Sequence, residues 1–308
     1  MIAYFLLVHR YPEQFKRMFR AVYAPGNHYL VHVDASSGPA LAADIRAFLE
    51  PYQGTEILPP KRALWGGYSL VDAELRGMKR LLAMGSRWTH FINLSGQDFP
   101  LRTQRYIADF LAEHPDTQFM RCADQQEVRP DTMNRVSHIF IEAFQRIIRT
   151  GIPRSFPAGV TPFIGTQWKI VSRRFCEYVC HDPAVRRLKR FYRRTLIADE
   201  GFFQTVLMNG FQRGAVVDDD LRTIDWVPDG EIKLRPRTFT IRDATRLKIS
   251  PDLFARKFDE TEDSEILEAL EAHLETPFAD TFKPVPDRVR PPSPPVIRAG
   301  DAAALEAA

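Results

Sequence analysis

The chain has 308 residues, enough for one large hydrophobic core or two small ones. With 44% hydrophobic and 26% charged residues and a formal charge of only +3, it reads as a soluble globular protein and not as a general nucleic-acid binder. No apolar run reaches the ~18 residues of a spanning helix, and the three cysteines, Cys122, Cys176 and Cys180, imply a reducing compartment without a disulfide framework. The apolar start, Met1 to Val8, is too short for a secretion signal and lacks its basic flank and cleavage site, so it reads as a buried first strand.

In chain order, the pattern predicts a strand at 3–8, then a helix at 13–23 with the stripe Phe15, Met18, Phe19 and Val22. A strand from His28 to Val33 ends at Asp34, a helix at 40–50 ends at Pro51, and 55–58 is a short strand. Ser69 opens a helix striped by Val71, Leu75, Met78 and Leu82, with Asp72 as a capping-box-like partner. The strand Thr89 to Leu94 runs into Ser95-Gly96-Gln97-Asp98-Phe99-Pro100, followed by helix 103–113 and strand 117–121. The second half is less regular. It predicts helices at 136–149, 173–181, 183–194 and 200–209, strands at 168–171, 213–217 and 222–226, and a last helix at 262–274. Residues 280–308 are rich in Pro, Arg and Ala without apolar periodicity and read as a disordered tail.

The strand–helix rhythm of the first half indicates an α/β fold with a mostly parallel sheet. Ligands of such sheets bind beyond the carboxyl ends of strands, where His9, Arg10, Asp34 and Asp98 fall.

Six features carry candidate chemistry. Asp34 can accept from a nucleobase or ribose, or cap the Ala35-Ser36-Ser37-Gly38 turn. Trp65-Gly66-Gly67-Tyr68-Ser69 precedes a helix, where paired glycines permit close approach of a ligand or simply a turn; neither GxxxxGK[ST] nor GxGxxG occurs. Trp168 and Trp226 are aromatic candidates for a sugar face, with core packing as the alternative. The Asp199-Glu200 pair opens an apolar helix, either as dipole-favoured capping acids or as a catalytic base. Lys233, Arg235, Arg237, Arg242, Lys248, Arg256 and Lys257 form a basic stretch, which is either a solvated face or a diphosphate site. Cys176 and Cys180, with His181 and Asp182 following, lack the second thiol pair of a metal site and read as core.

Taken in order, several of these segments resemble the core-2/I-branching glycosyltransferase family, which includes β-1,6-N-acetylglucosaminyltransferases and peptide O-xylosyltransferases. The resembling pieces are Tyr4-Phe5-Leu6-Leu7-Val8-His9, His32-Val33-Asp34, Trp65-Gly66-Gly67-Tyr68-Ser69, Asn93 to Leu101, Gly165-Thr166-Gln167-Trp168, Ala198-Asp199-Glu200 and Phe254-Ala255-Arg256-Lys257-Phe258-Asp259. The Gly165-Thr166-Gln167-Trp168 segment and the closing Phe254 to Asp259 segment look closer to the xylosyltransferase branch.

The resemblance implies a GT-A-like, Rossmann-like single domain over 1–279 and inverting transfer of N-acetylglucosamine or xylose from a UDP-sugar to a glycan hydroxyl. It implies Glu200 as catalytic base, Val8 and Asp34 at the nucleotide, and Lys257 with Arg235 or Arg237 at the diphosphate. Asp98, Trp168, Asp199 and Trp226 fall on the substrate side. It also implies that no cofactor or divalent metal is needed, although Asp218-Asp219-Asp220 could mimic a metal-binding DxD.

Animal members are anchored, lumenal and disulfide-rich. This chain therefore reads as a cytoplasmic bacterial-type relative acting on a glycan, lipid-linked glycan or glycoconjugate, with its Arg-rich tail available for peripheral contact with the inner membrane face. The competing readings are a catalytically silent nucleotide- or glycan-binding protein on the same fold, and a metal-dependent retaining transferase. A hydrolase lacks a GxSxG motif.

Overall fold

All seven side chains of the strand Ile2–Val8 are buried, as expected of a strand covered on both faces of a parallel sheet. In the computed structural model, which describes residues 1–85, 87–211, 214–229, 233–284 and 289–290, this strand lies between His28–Val33 and His90–Ser95, parallel to both. Thr55–Ile57 extends the sheet, parallel to His28–Val33. The chain divides into two compact units, each assembled from separated stretches: 1–61, 87–115 and 221–287 in the first, and 62–86, 116–220 and 288–308 in the second.

The first unit contains that parallel sheet. Helix Pro12–Val22 starts with proline at its first turn, where a missing N–H is harmless. It buries the expected stripe of Phe15, Met18, Phe19 and Val22. Phe19 packs edge-on against Tyr29, Phe48 and Tyr52 at centroid distances of 5.2, 5.6 and 5.0 Å. A second layer joins Asp98–Pro100, Phe254–Arg256 and Arg222–Ile224, with Phe254–Arg256 antiparallel to the first and parallel to the last. Trp226–Asp229 and Lys233–Pro236 form an antiparallel ribbon. Asp280, the first residue of the expected tail, accepts from the Thr103 amide and hydroxyl at 3.0 and 2.6 Å.

The second unit pairs Gln118–Phe119 in parallel with Val216–Val217 and in antiparallel with Ile170. Val289–Arg290 adds an antiparallel strand to Val216–Val217; the remaining tail residues, 285–288 and 291–308, lie outside the described residues. Helix Phe202–Gly210 buries every side chain from Phe202 to Asn209, so it is a core helix and not an amphipathic one. Cys122, Cys176 and Cys180 are buried free thiols, in keeping with the core reading.

The mixed α/β class is as expected; one predicted element is not. The predicted helix at 136–149 is instead a hairpin, His138–Ala143 against Arg146–Pro153. Its turn residues Phe144 and Gln145 both take left-handed backbone, with φ of 51° and 61°, which is the twist that a two-residue hairpin turn requires. The β-branched Ile139, Ile141, Ile147 and Ile148 favour strand over helix.

Candidate active site

In the first unit the candidate nucleotide residues gather where the first two strands end. The Asp34 amide donates to the Val8 carbonyl at 2.9 Å. The Asp34 carboxylate caps the following turn, accepting from the Ser36 amide at 2.7 Å and from the Ser36 hydroxyl. The Ser37 hydroxyl donates to the His9 carbonyl at 2.8 Å, which holds this turn against the first strand's end. Asp34 is therefore the capping residue that its sequence position allowed, held rigidly at 7% exposure.

The closing motif is bound to the same place. The Tyr11 hydroxyl donates to Asp259 at 2.7 Å, and Gln14 donates to the Phe258 carbonyl at 3.2 Å while accepting from the Glu260 amide at 2.8 Å. Gln97 donates to the Phe258 carbonyl at 3.2 Å and accepts from Arg10 at 3.1 Å. These bonds hold Lys257 within the fields of Arg10, Arg256 and Arg235; partial burial, then those like charges, lower its ammonium pKa. The His9 ring keeps some solvent contact, yet partial burial and the guanidiniums of Arg10 and Arg256 lower its pKa to about 4, leaving it neutral. Cations gathered in this way favour an anionic ligand.

The basic residues are not equivalent. Arg237 is committed to Asp225 and Asp243, each at 2.7 Å, and these carboxylates raise its pKa. Arg235 is exposed, with Asp229 only at 3.9 Å. Arg256 donates to Asp98 at 2.5 Å, and Asp98 also accepts from the Ser95 amide at 2.8 Å. Fully buried, Asp98 is a fold-holding carboxylate and not a group displayed to a sugar. Trp226 is 43% exposed and Trp168 only 5%, so of the two tryptophans Trp226 offers an open ring.

In the second unit, Asp199 and Glu200 form a 3-10 turn, Ala198–Glu200, immediately before helix Phe202–Gly210. Ile197 enters it in left-handed backbone, φ 51°, and donates its amide to the Gly66 carbonyl at 2.7 Å. The Gly165 amide donates to the Glu200 carbonyl at 2.9 Å. The glycine pair upstream thus serves packing: Gly66 has φ +75°, and a Cβ on Gly67 would collide with the Glu142 carboxylate. The Glu200 side chain is 30% exposed and accepts from Arg135 at 2.8 Å. A cleft of about 10 Å³, room for roughly one water, lies between Glu200, Arg135, Gln125, Ile164 and Tyr192.

Asp199 behaves differently. It is 5% exposed, and its Oδ1 is buried without a hydrogen-bond partner among the described residues. Burial, then the like charge of Glu200, push its carboxyl up to about 7. Nearby, Lys169 and Glu74 form a fully buried ion pair at 2.5 Å, and Gln167 donates to Glu74 at 3.4 Å.

The aspartate run is engaged within this unit. Asp218 accepts from the Cys122 amide at 2.7 Å, Asp219 pairs with Arg121 at 3.2 Å, and Asp220 accepts from the Thr166 hydroxyl at 2.6 Å. Among the described residues no cluster of three or more His, Cys, Asp or Glu side chains is arranged to hold a metal ion.

Sequence reasoning missed Arg135, Glu74 and Lys169. Arg135 carried no visible signal. The other two did: Glu74 sits on the buried stripe between Val71 and Met78, and Lys169 interrupts an apolar strand approach.

The family described as Core-2/I-Branching enzyme matches residues 2–251. The chain is 34% identical to xylosyltransferase 2 of Mus musculus, over 97% of its own length and 35% of that protein's. It is 34% identical to xylosyltransferase 2 and 33% identical to xylosyltransferase 1 of Homo sapiens, each over 89% of the chain and over 33% and 30% of those proteins. The chain thus spans about a third of the length of these curated relatives.

Proposed function

Because the chain belongs to the core-2/I-branching enzyme family, we propose that it is a glycosyltransferase, moving xylose or N-acetylglucosamine from a UDP-sugar to a hydroxyl of a glycan or glycoconjugate with inversion. The xylosyltransferase names of its relatives favour xylose. The observation that carries the reading is Glu200: a partly exposed carboxylate fixed on a rigid turn, with one oxygen oriented by Arg135.

An acceptor hydroxyl is a poor nucleophile at neutral pH. Glu200 takes its proton as the oxygen attacks the anomeric carbon on the face opposite the diphosphate. The carbon–oxygen bond to the diphosphate breaks in the same displacement, and UDP leaves with the electron pair. One essential carboxylate suffices, unlike the pair a glycoside hydrolase needs. Lys257 with Arg235 stabilises the charge growing on the leaving phosphate. Arg235 is the better candidate than Arg237, whose guanidinium already holds two aspartates. Val8 and Asp34 frame the nucleoside, and Trp226 offers the acceptor an open ring.

Cytoplasmic location and turnover without a divalent cation belong to the same proposal; the engagement of Asp218, Asp219 and Asp220 by neighbouring groups supports the second. The test is UDP release from UDP-xylose and from UDP-N-acetylglucosamine, with EDTA present, for the wild type and Glu200→Gln. Slow release that is lost in the variant supports the base. UDP-sugar binding without release, unchanged by the substitution, supports the binding-protein reading instead. Release abolished by EDTA and restored by manganese overturns the metal-free step.

A further inference from the structure

Asp199 and Glu200 are adjacent carboxylates in one turn, yet their surroundings differ. Glu200 reaches solvent and a guanidinium. Asp199 reaches neither: it is buried, and its Oδ1 has no hydrogen-bond partner among the described residues. A buried carboxylate in that state is strongly disfavoured unless a cation or several donors meet it, and otherwise it takes up a proton.

The cation at hand is Lys169, and its ammonium is claimed elsewhere. It donates to Glu74 at 2.5 Å and to the Gln167 carbonyl at 2.6 Å, and lies 4.2 Å from the centre of the Phe203 ring. The charged groups acting on Asp199 are Glu200 from its own turn, Glu74 from helix Tyr68–Met84, and Lys169 from the segment entering strand Ile170–Ser172. Helix Phe202–Gly210, packed behind the turn, brings no titratable side chain. Two anions and one already-paired cation leave a second negative charge on Asp199 uncompensated.

We propose that Asp199 and Glu200 divide two roles between them: Asp199 holds a proton up to near neutral pH and so adds no second full negative charge beside Glu200, which takes the acceptor's proton, and Glu74 maintains the division by engaging Lys169. The proposal rests on Glu200 being the base. Two carboxyls whose environments drive them to opposite states separate acid and base roles in one site. Glu74 and Lys169 are then positioning residues, acting on the reaction through Asp199.

The experiment is a pH titration, from 4 to 9, of the Asp199 side-chain carboxyl by ¹³C NMR on the full-length chain, assigned through its backbone. The expected midpoint for the wild type lies near neutrality; a midpoint in the ordinary aspartate range overturns the proposal. In Glu74→Gln, Lys169 is released to pair with Asp199, and the midpoint falls by a unit or more. An unchanged midpoint there overturns the role of the buried pair. If Glu74→Gln does not fold, Lys169→Met replaces it: the midpoint then rises, and a fall or no change counts against the pair. The titration needs no turnover. Failure of the wild type to release UDP from any UDP-sugar would sink the transferase reading and leave this result to be judged separately.

Discussion

Both units bring like charges together, but in opposite ways. In the first, Lys257 stands among the guanidiniums of Arg10, Arg256 and Arg235, and the neutral His9 sits beside them. In the second, two anions meet in one turn, one partly exposed against Arg135 and the other buried. A cluster of partly exposed cations can wait for an anion, because water carries the charge until the ligand arrives. A buried carboxyl has no such reservoir and takes up a proton instead. One arrangement suits binding a diphosphate; the other suits handling a proton.

The largest expected effect is on the buried ion pair. Lys169→Met removes the ammonium that faces the buried Glu74 carboxylate, which costs about 3–5 kcal/mol; the double change Glu74→Gln with Lys169→Met recovers most of it. Denaturant midpoints decide this, and equal losses in the single and double variants would mean that the pair contributes packing alone.

Next is the base. Glu200→Gln should lower UDP release from UDP-xylose by ~100-fold or more, with UDP affinity little changed, because the substitution removes a proton acceptor and not a cation for the diphosphate. A parallel loss of UDP affinity by calorimetry would blur the division between binding and proton transfer.

On the binding side, Lys257→Ala should weaken UDP roughly tenfold or more, the worth of a charge-assisted bond of ~1.5–3 kcal/mol, with Arg235→Ala a smaller loss. Arg237→Ala should lower the melting temperature more than it weakens UDP, since it removes one of the two guanidiniums, with Arg246, that hold Asp225 and Asp243. Equal affinity losses for the two arginines would reject the assignment of Arg235.

The smallest effects carry the comparison into pH. The His9 pKa is depressed from 6.5 to about 4, so between those values the unfolded chain binds a proton that the folded one does not, and stability falls as pH drops. The Asp199 pKa is raised from 3.8 to about 7, so over nearly the same window the folded state holds the extra proton, and stability falls as pH rises. His9→Asn should flatten the acid-side loss, and Asp199→Asn the loss toward neutrality. Melting curves from pH 4 to 8 that show both variants changing slope in the same direction would remove the contrast.

Much of the first unit was legible in the sequence. Apolar runs such as Ile2 to Val8, closed by polar residues, announce parallel strands, and His9, Arg10 and Asp34 fall just beyond the ends of theirs. The hairpin at 138–153 was not legible, because Val136, Phe140 and Ile147 also satisfy a helical period. Its turn, moreover, uses Phe144 and Gln145 where Asn-Gly would have been recognisable. At the site, the Asp199-Glu200 pair was visible as a pair but its asymmetry was not. The charges acting on Asp199 include those of Glu74 and Lys169, which come from other elements upstream. Similarly, nothing in the spacing of Arg235 and Arg237 shows that Asp225 and Asp243 hold only the latter.

The bonds from Tyr11 and Gln14 to residues 258–260 also bear on how the protein is made. Strand Ile2–Val8 and helix Pro12–Val22 leave the ribosome long before Lys257 and its neighbours, which lie far downstream in the sequence. Until then these elements wait without the segment that covers their ends, which exposes a nascent chain to association. Residues 2–22 thus reach their final environment late, and a ribosome stalled before residue 254 would release a fragment with those elements but without Lys257 and its neighbours.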